Sequence, residues 1–300
     1  MEERAFFLGC PMWAHAGWAG RFYRSDAKRA EYLPQYASVF NAVEGNSTFY
    51  GLPSPESVAR WAVEAPRGFR FCFKFPRTVT HELRLEETEQ ETGEFFERLA
   101  PLGERLGPML VQLPGSFGPA HLGMLDAFLA GLPSTFGYAV EVRHRAFFAE
   151  GPEEAELDAL LRARGVDRVL FDTTGLFVAG APLPESVADV LVKKPRVPMR
   201  RTVTANSPIV RFVGDPDKAR IRGPLRAWAI VLNAWIDSGL TPFFFAHHAD
   251  DTFAPDVARV LHEELASIRP GIAPVARWPV ERERAGADRD DPGGQMTLFG

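Results

Sequence analysis

Residues 69–75 read Phe69-Arg70-Phe71-Cys72-Phe73-Lys74-Phe75, with four phenylalanines on alternate positions and Arg70, Cys72 and Lys74 between them. A period of two marks a β-strand, whose successive side chains point to opposite faces. Four aromatic rings on one face need a packed layer against them. That face therefore meets helices, and Lys74 points to the other side. A strand covered by helices belongs to an α/β fold.

Seven further short apolar runs accompany it, at 6–10, 39–44, 109–113, 138–142, 168–172, 209–212 and 242–246. Helical patterns separate them. Ser54-Pro55 supplies an N-cap and a proline at the first helical position, and Val58, Trp61 and Ala62 follow on one face. Leu157, Leu160 and Leu161 precede a terminating Gly165. Trp228, Leu232 and Trp235, and then Val257, Val260, Leu261 and Leu265, repeat at helical spacing and read as core stripes. Eight strands alternating with helices over about 250 residues predict a single (β/α)8 TIM-type barrel spanning residues 1–279. Residues 183–206, rich in Pro, Lys and Arg, fit least and read as a helix and a long loop. From residue 280 the composition shifts to charge, Gly and Pro, which predicts a flexible C-terminal tail.

Strand alternation then sorts the polar residues. It turns Glu44, Lys74, Gln112, Glu141, Asp172 and Arg211 inward at the C-terminal ends of six strands. Arg143 follows Glu141 on the same side, and Asn46 and Thr48 follow Glu44 if the extended geometry continues. Barrel active sites occupy this end. Buried charge is costly unless paired or used. Two readings follow: an ion-pair network that plugs the sheet, or a mouth with cations for an anion and carboxylates for acid–base work or a metal.

Composition narrows the field. The chain has 300 residues, 46% hydrophobic and 24% charged, which excludes a disordered or fibrous protein. Two cysteines, Cys10 and Cys72, leave no disulfide framework and no cysteine-based zinc site. No apolar run approaches the roughly 20 residues of a membrane span, and no leader-like segment opens the chain, so a cytoplasmic protein with no membrane partner is expected. A net charge of -5 argues against a broad phosphate-neutralising surface, so any role on DNA needs a local patch or a tether.

The segments FNAVEGNSTFYGLPSPESVARWA (40–62), FRFCFKFPRTVTH (69–81), LGPMLVQLPGSF (106–117), YAVEVRHRAFF (138–148) and the late FFFAHH…AP resemble the YecE-like family, domain of unknown function family 72. The resemblance covers residues 6–266. It implies a TIM-type barrel and carries no biochemical activity with it. The matching positions are Glu44, Asn46, Ser47, Thr48 and Tyr50; Lys74, Pro76, Arg77, Thr80 and His81; Gln112; Glu141, Arg143 and His144; and Arg211. Val213 stands where a histidine is common in the family, and Ala246-His247 where paired asparagines are common. These departures imply a subfamily with its own substrate or metal preference.

Lys74, Arg77, His81, Arg143 and Arg211 put several cations at one mouth, and guanidinium groups suit phosphate or carboxylate. An anionic, phosphate-containing substrate is expected, held by Asn46, Thr48, Tyr50, Arg77, Gln112, Arg143 and Arg211. Glu44, Lys74, His81, Glu141 and Asp172 are the catalytic candidates, and His81 reads equally well as a loop histidine. His247 and His248 offer a divalent metal site together with Glu141 and Asp172. Two adjacent histidines cannot both face inward on a regular strand, which weakens that set. Neither a G-x-S-x-G elbow nor a P-loop occurs.

Gln295-Met296-Thr297-Leu298-Phe299 resembles the bacterial sliding-clamp-binding peptide. Met296, Leu298 and Phe299 would bury in a partner pocket and Gln295 would fix register. Such a tether raises local concentration near DNA. The function classes that remain are a phosphoester hydrolase or nuclease-like enzyme in DNA maintenance, a sugar-phosphate isomerase, lyase or hydrolase, and a non-catalytic clamp-docked adaptor.

Overall fold

Each of the eight apolar runs overlaps a strand: β1 (Phe7–Gly9), β2 (Ala42–Gly45), β3 (Arg70–Phe73), β4 (Met109–Gln112), β5 (Tyr138–Glu141), β6 (Asp167–Asp172), β7 (Ile209–Val213) and β8 (Phe243–His247). The structure, a computed structural model, describes residues 6–173, 201–215 and 217–290. The helices among these residues are α1 (Tyr32–Ala37), α2 (Pro55–Glu64), α3 (Glu89–Leu99), α4 (Leu122–Gly131), α5 (Pro152–Arg164), α6 (Lys218–Asp237), α7 (Ala254–Ile268) and α8 (Pro279–Asp290). Ser54 Oγ accepts from the Ser57 N–H to start α2, and Gly165, at φ 63°, ends α5 in the left-handed region. None of the described helices is long and apolar enough to cross a membrane.

The pairing is parallel, but the closed (β/α)8 barrel expected from the strand count is not formed. Six strands make a half-barrel sheet in the order β1-β8-β7-β6-β5-β4, and β2 and β3 form a separate two-stranded ribbon. The break between β1 and β2 has a side-chain cause. Asn41 Oδ1 accepts from the Leu8 N–H at 2.7 Å, and Asn41 Nδ2 donates to the Phe6 carbonyl at 3.0 Å. The Tyr36 hydroxyl accepts from the Cys10 N–H at 2.7 Å and donates to the Ala42 carbonyl at 2.9 Å. These groups take backbone partners that a ladder would use. Between β3 and β4 only the isolated bridges Phe71↔Leu106 and Lys74↔Leu110 occur. The Lys74 carbonyl, on the β2 side of the strand, accepts from Thr48 Oγ1 at 2.6 Å.

Two apolar layers flank the strands. Phe69, Phe71, Phe73 and Phe75 are buried in the larger layer, under the helices. Phe7, Ala42, Cys72, Leu110, Ala139, Val169, Ile209, Phe243 and Phe245 form the inner cluster. Strand β6 runs with the opposite parity to the one read from its sequence. Arg168 pairs with Glu154 (3.1 Å) and Asp158 (2.8 Å) on α5, so Arg168, Leu170 and Asp172 face the helices. Val169 and Phe171 face inward.

The boundary at residue 280 also moves. Residues Pro279–Asp290 form α8, not a disordered tail. Trp278 and Val280 are buried, Arg259 makes a bidentate pair with Glu281 at 2.6 and 2.9 Å, and its guanidinium lies 3.7 Å over the Trp278 ring. Burial and this ion pair hold a segment whose charge count alone suggested solvation. Residues 291–300, with Gln295, Met296, Leu298 and Phe299, and residues 174–200 lie outside the described residues.

Candidate functional site

The strands deliver their inward polar residues to one place. Arg211, at the third position of β7, donates from Nε and Nη2 to the two oxygens of Glu44 on β2, at 2.7 and 2.8 Å. Its Nη1 donates to Glu141 Oε2 on β5. Arg143 donates from Nε and Nη2 to the other oxygen of Glu141, both at 2.9 Å. Lys74 Nζ donates to Gln112 Oε1 at 2.9 Å and lies 3.5 Å from Glu44 Oε1. His247 Nε2 meets Glu44 Oε2 at 3.1 Å. Glu44 is 0% exposed, Glu141 3% and Arg211 5%, so this network is desolvated.

Its electrostatics follow from that burial. Burial alone would raise the Glu44 carboxyl, but Arg211, His247 and Lys74 hold it well below the usual carboxylate range. Glu141 is likewise opposed by burial, yet Arg211, Arg143 and Lys74 bring it down to about 2. Burial, joined by repulsion from Arg211, lowers Lys74 to about 8 against the pull of Glu44 and Glu141. Burial also lowers His247, although Glu44 opposes the change. At neutral pH the cluster holds two carboxylates, a charged Arg211 and Arg143, and an ammonium close to its titration point.

The other sequence candidates divide. His81 sits in the turn Thr78–Glu82, its Nδ1 2.9 Å from Thr80 Oγ1 and its ring edge-on to Phe49. Burial and then Arg143, Arg77 and Lys74 lower its pKa, which keeps it neutral at the rim of the cluster. Thr48 is a positioning group on the Lys74 backbone. Asn46 Nδ2 donates to the Pro11 carbonyl at 2.9 Å. Tyr50 is 84% exposed and Arg77 pairs at 3.7 Å with Glu82, so neither touches the cluster.

Asp172 does not join the cluster. Its Oδ2 accepts from Trp228 Nε1 on α6 at 2.6 Å, on the helix side of the sheet. The four-residue metal set therefore fails to converge. His248 turns away from His247 and bonds Asp250 through Nδ1 at 2.7 Å, while Glu141 is occupied by two arginines. Among the described residues no group of three or more His, Cys, Asp or Glu is arranged to hold a metal ion. What sequence reasoning missed is a cavity next to Glu44, walled by Met12 and Trp13. Its signal was the aromatic residue just beyond β1, which lines up with the open end of the strands.

The fold and this charged strand-end cluster define a class: the chain belongs to the DUF72 family, described as "Protein of unknown function DUF72", whose profile matches residues 7–280. The chain is 40% identical to UPF0759 protein YecE of Escherichia coli K12 over 273 residues, 91% of this chain and 97% of that protein. Two solved structures share the fold. A DUF72 family protein of Thermotoga maritima MSB8 aligns with a TM-score of 0.64 at 22% identity, over 88% of this chain and 98% of its own. One from Enterococcus faecalis V583 aligns with a TM-score of 0.65 at 20% identity, over 87% and 95%.

Proposed function

We propose that the protein is an enzyme acting on a small anionic, phosphate-containing substrate bound where Lys74, Arg143 and Arg211 converge. The observation that carries this reading is the charge balance, three cations against Glu44 and Glu141, with Lys74 lowered to about 8. An ammonium titrating near the working pH suits both halves of proton transfer. The arginine-locked carboxylates keep it positioned and partly charged. Isomerase or lyase chemistry suits this arrangement better than metal-assisted phosphoester hydrolysis, because Asp172 and His248 point away from Glu141. Free, buried Cys10 and Cys72 favour a reducing, cytoplasmic setting.

The test is a calorimetric titration of the full chain with inorganic phosphate. Binding should weaken at least tenfold in Lys74→Met and in Arg143→Gln. Absence of binding by the wild type at millimolar phosphate would sink the reading.

A second reading concerns a partner. We propose that Gln295, Met296, Leu298 and Phe299 dock on the bacterial sliding clamp, which would bring the enzyme near DNA. It is supported by the peptide pattern and by α8, which contacts the body as far as Arg284 and runs to Asp290, five residues before Gln295. A clamp pull-down that succeeds equally with and without residues 295–300 would refute it.

A further inference from the structure

Beside the charged cluster lies a cavity of about 530 Å3, in the size range of small-molecule sites. Met12 and Trp13, just after β1, line it, and so does Asn46, just after β2, tied to Pro11 beside them. Glu44 belongs to both the cavity and the cluster, 3.5 Å from Lys74 Nζ. The exposed ring of Tyr50 stands at the rim.

Two features of these walls specify a ligand. Trp13 meets Trp61 and Phe71 edge-on, with centroids 5.0 and 5.8 Å away, so its indole is held upright where it lines the cavity. A fixed indole with a phenol ring nearby is a stacking surface for a flat aromatic system. Asn46 supplies the second feature. Its Nδ2 is committed to the Pro11 carbonyl, while its Oδ1 is shielded from solvent and has no hydrogen-bond partner. A desolvated acceptor without a donor is a cost the fold carries, and a ring N–H that reaches it when a ligand binds would relieve that cost.

Stacking walls, a waiting acceptor and an adjoining anion site are together the recognition chemistry of a nucleotide. We infer that the cavity takes the base of a nucleotide whose phosphate meets Lys74 and Arg143. This rests on the anion reading above and names its substrate class. The nucleotide is either free or part of a single strand.

The experiment titrates the full chain calorimetrically with inorganic phosphate, with each of the four 5′-deoxynucleoside monophosphates, and with a short single-stranded oligodeoxynucleotide. At least one monophosphate should bind tenfold or more tightly than phosphate. That advantage should disappear in Trp13→Leu and in Tyr50→Ala, the latter a surface change that leaves the core intact, while phosphate affinity stays within twofold. An oligonucleotide binding tenfold tighter than every monophosphate, with the same two sensitivities, supports the inference and identifies a strand as the source. Phosphate binding with no monophosphate gaining tenfold overturns the inference and leaves the anion reading standing. A chain that binds neither phosphate nor nucleotide overturns both.

Discussion

Replacing Arg211 with Met tests the network at its centre. Arg211 makes three charge-assisted hydrogen bonds, two to Glu44 and one to Glu141. Without it, Glu141 keeps Arg143 at 2.9 Å, but Glu44 keeps only Lys74 at 3.5 Å and a histidine that burial discourages from protonating. Breaking a buried pair by removing one partner costs about 3–5 kcal/mol, because a desolvated charge is left behind. At about 2 °C per kcal/mol for a chain of this size, Tm should fall by about 6–10 °C at pH 7. The pH dependence fixes the cause. In the wild type Glu141 titrates near 2 against an ordinary 4.5, so its stabilisation is present above 4.5 and is lost as pH falls toward 2. In the variant the carboxyls titrate higher, so lowering pH from 7 to 5 should shrink the deficit. Adding Glu44→Gln alone to Arg211→Met should recover most of the loss, since it removes the carboxylate that Arg211 leaves without its main partner while Glu141 keeps Arg143. Urea unfolding followed by circular dichroism reads all three. A loss under about 1 kcal/mol with an unchanged pH profile, or an Arg211→Met, Glu44→Gln double variant no more stable than the single one, would refute the account.

Lys74 gives a second pH signature. Its folded pKa of about 8 lies below the ordinary 10.5, so the unfolded chain holds the extra proton between these values and stability should rise from pH 8 to 10.5. Phosphate affinity should fall over the same range, and Lys74→Met should abolish both trends. Asp172→Ala should cost about 1–3 kcal/mol through the stranded Trp228 N–H, yet leave phosphate affinity within twofold. A tenfold loss of affinity there would return Asp172 to the site. Val280→Asp should lower Tm by several degrees because Val280 is buried in the α8 contact, whereas deleting residues 291–300 should leave Tm unchanged by calorimetry.

The side of the sheet that each polar residue faces was legible in β2, β3, β4, β5 and β7. There one face is apolar throughout, and Glu44, Lys74, Gln112, Glu141 and Arg211 fall on the other. It was illegible in β6, where both faces carry charge and both carry large apolar residues. The rule that apolar means helix-facing then has no purchase. What decides the parity is Arg168 reaching Glu154 and Asp158, residues that a strand's own pattern does not contain. The open sheet was hidden for a similar reason. Apolar periodicity counts strands, but whether neighbours ladder depends on single side chains such as Asn41 and Tyr36 that take over backbone partners. His247 was reachable: carrying the Phe243–Phe245 alternation one step further turns it inward, and turns His248 out.

The remaining question is whether the cluster is a plug or a site, and the distribution of its charge bears on that. Lys74 and Arg211 balance Glu44 and Glu141, and all four are buried, so this quartet alone would serve as a plug. Arg143 is not needed for that balance. Its side chain is 26% exposed, and it shares a carboxylate already neutralised by Arg211. The excess positive charge therefore sits on the solvent side of the network, where an incoming anion would meet it before any desolvated group. A purely structural network is already charge-balanced without this fifth, partly exposed cation, which within it only adds to the hold of Arg211 on Glu141. A binding site gains a partly wet cation with hydrogen-bonding capacity beside a lysine whose charge is easily changed. Arg143→Gln separates the two: a plug loses little by either measure, whereas a site keeps its stability and loses its anion.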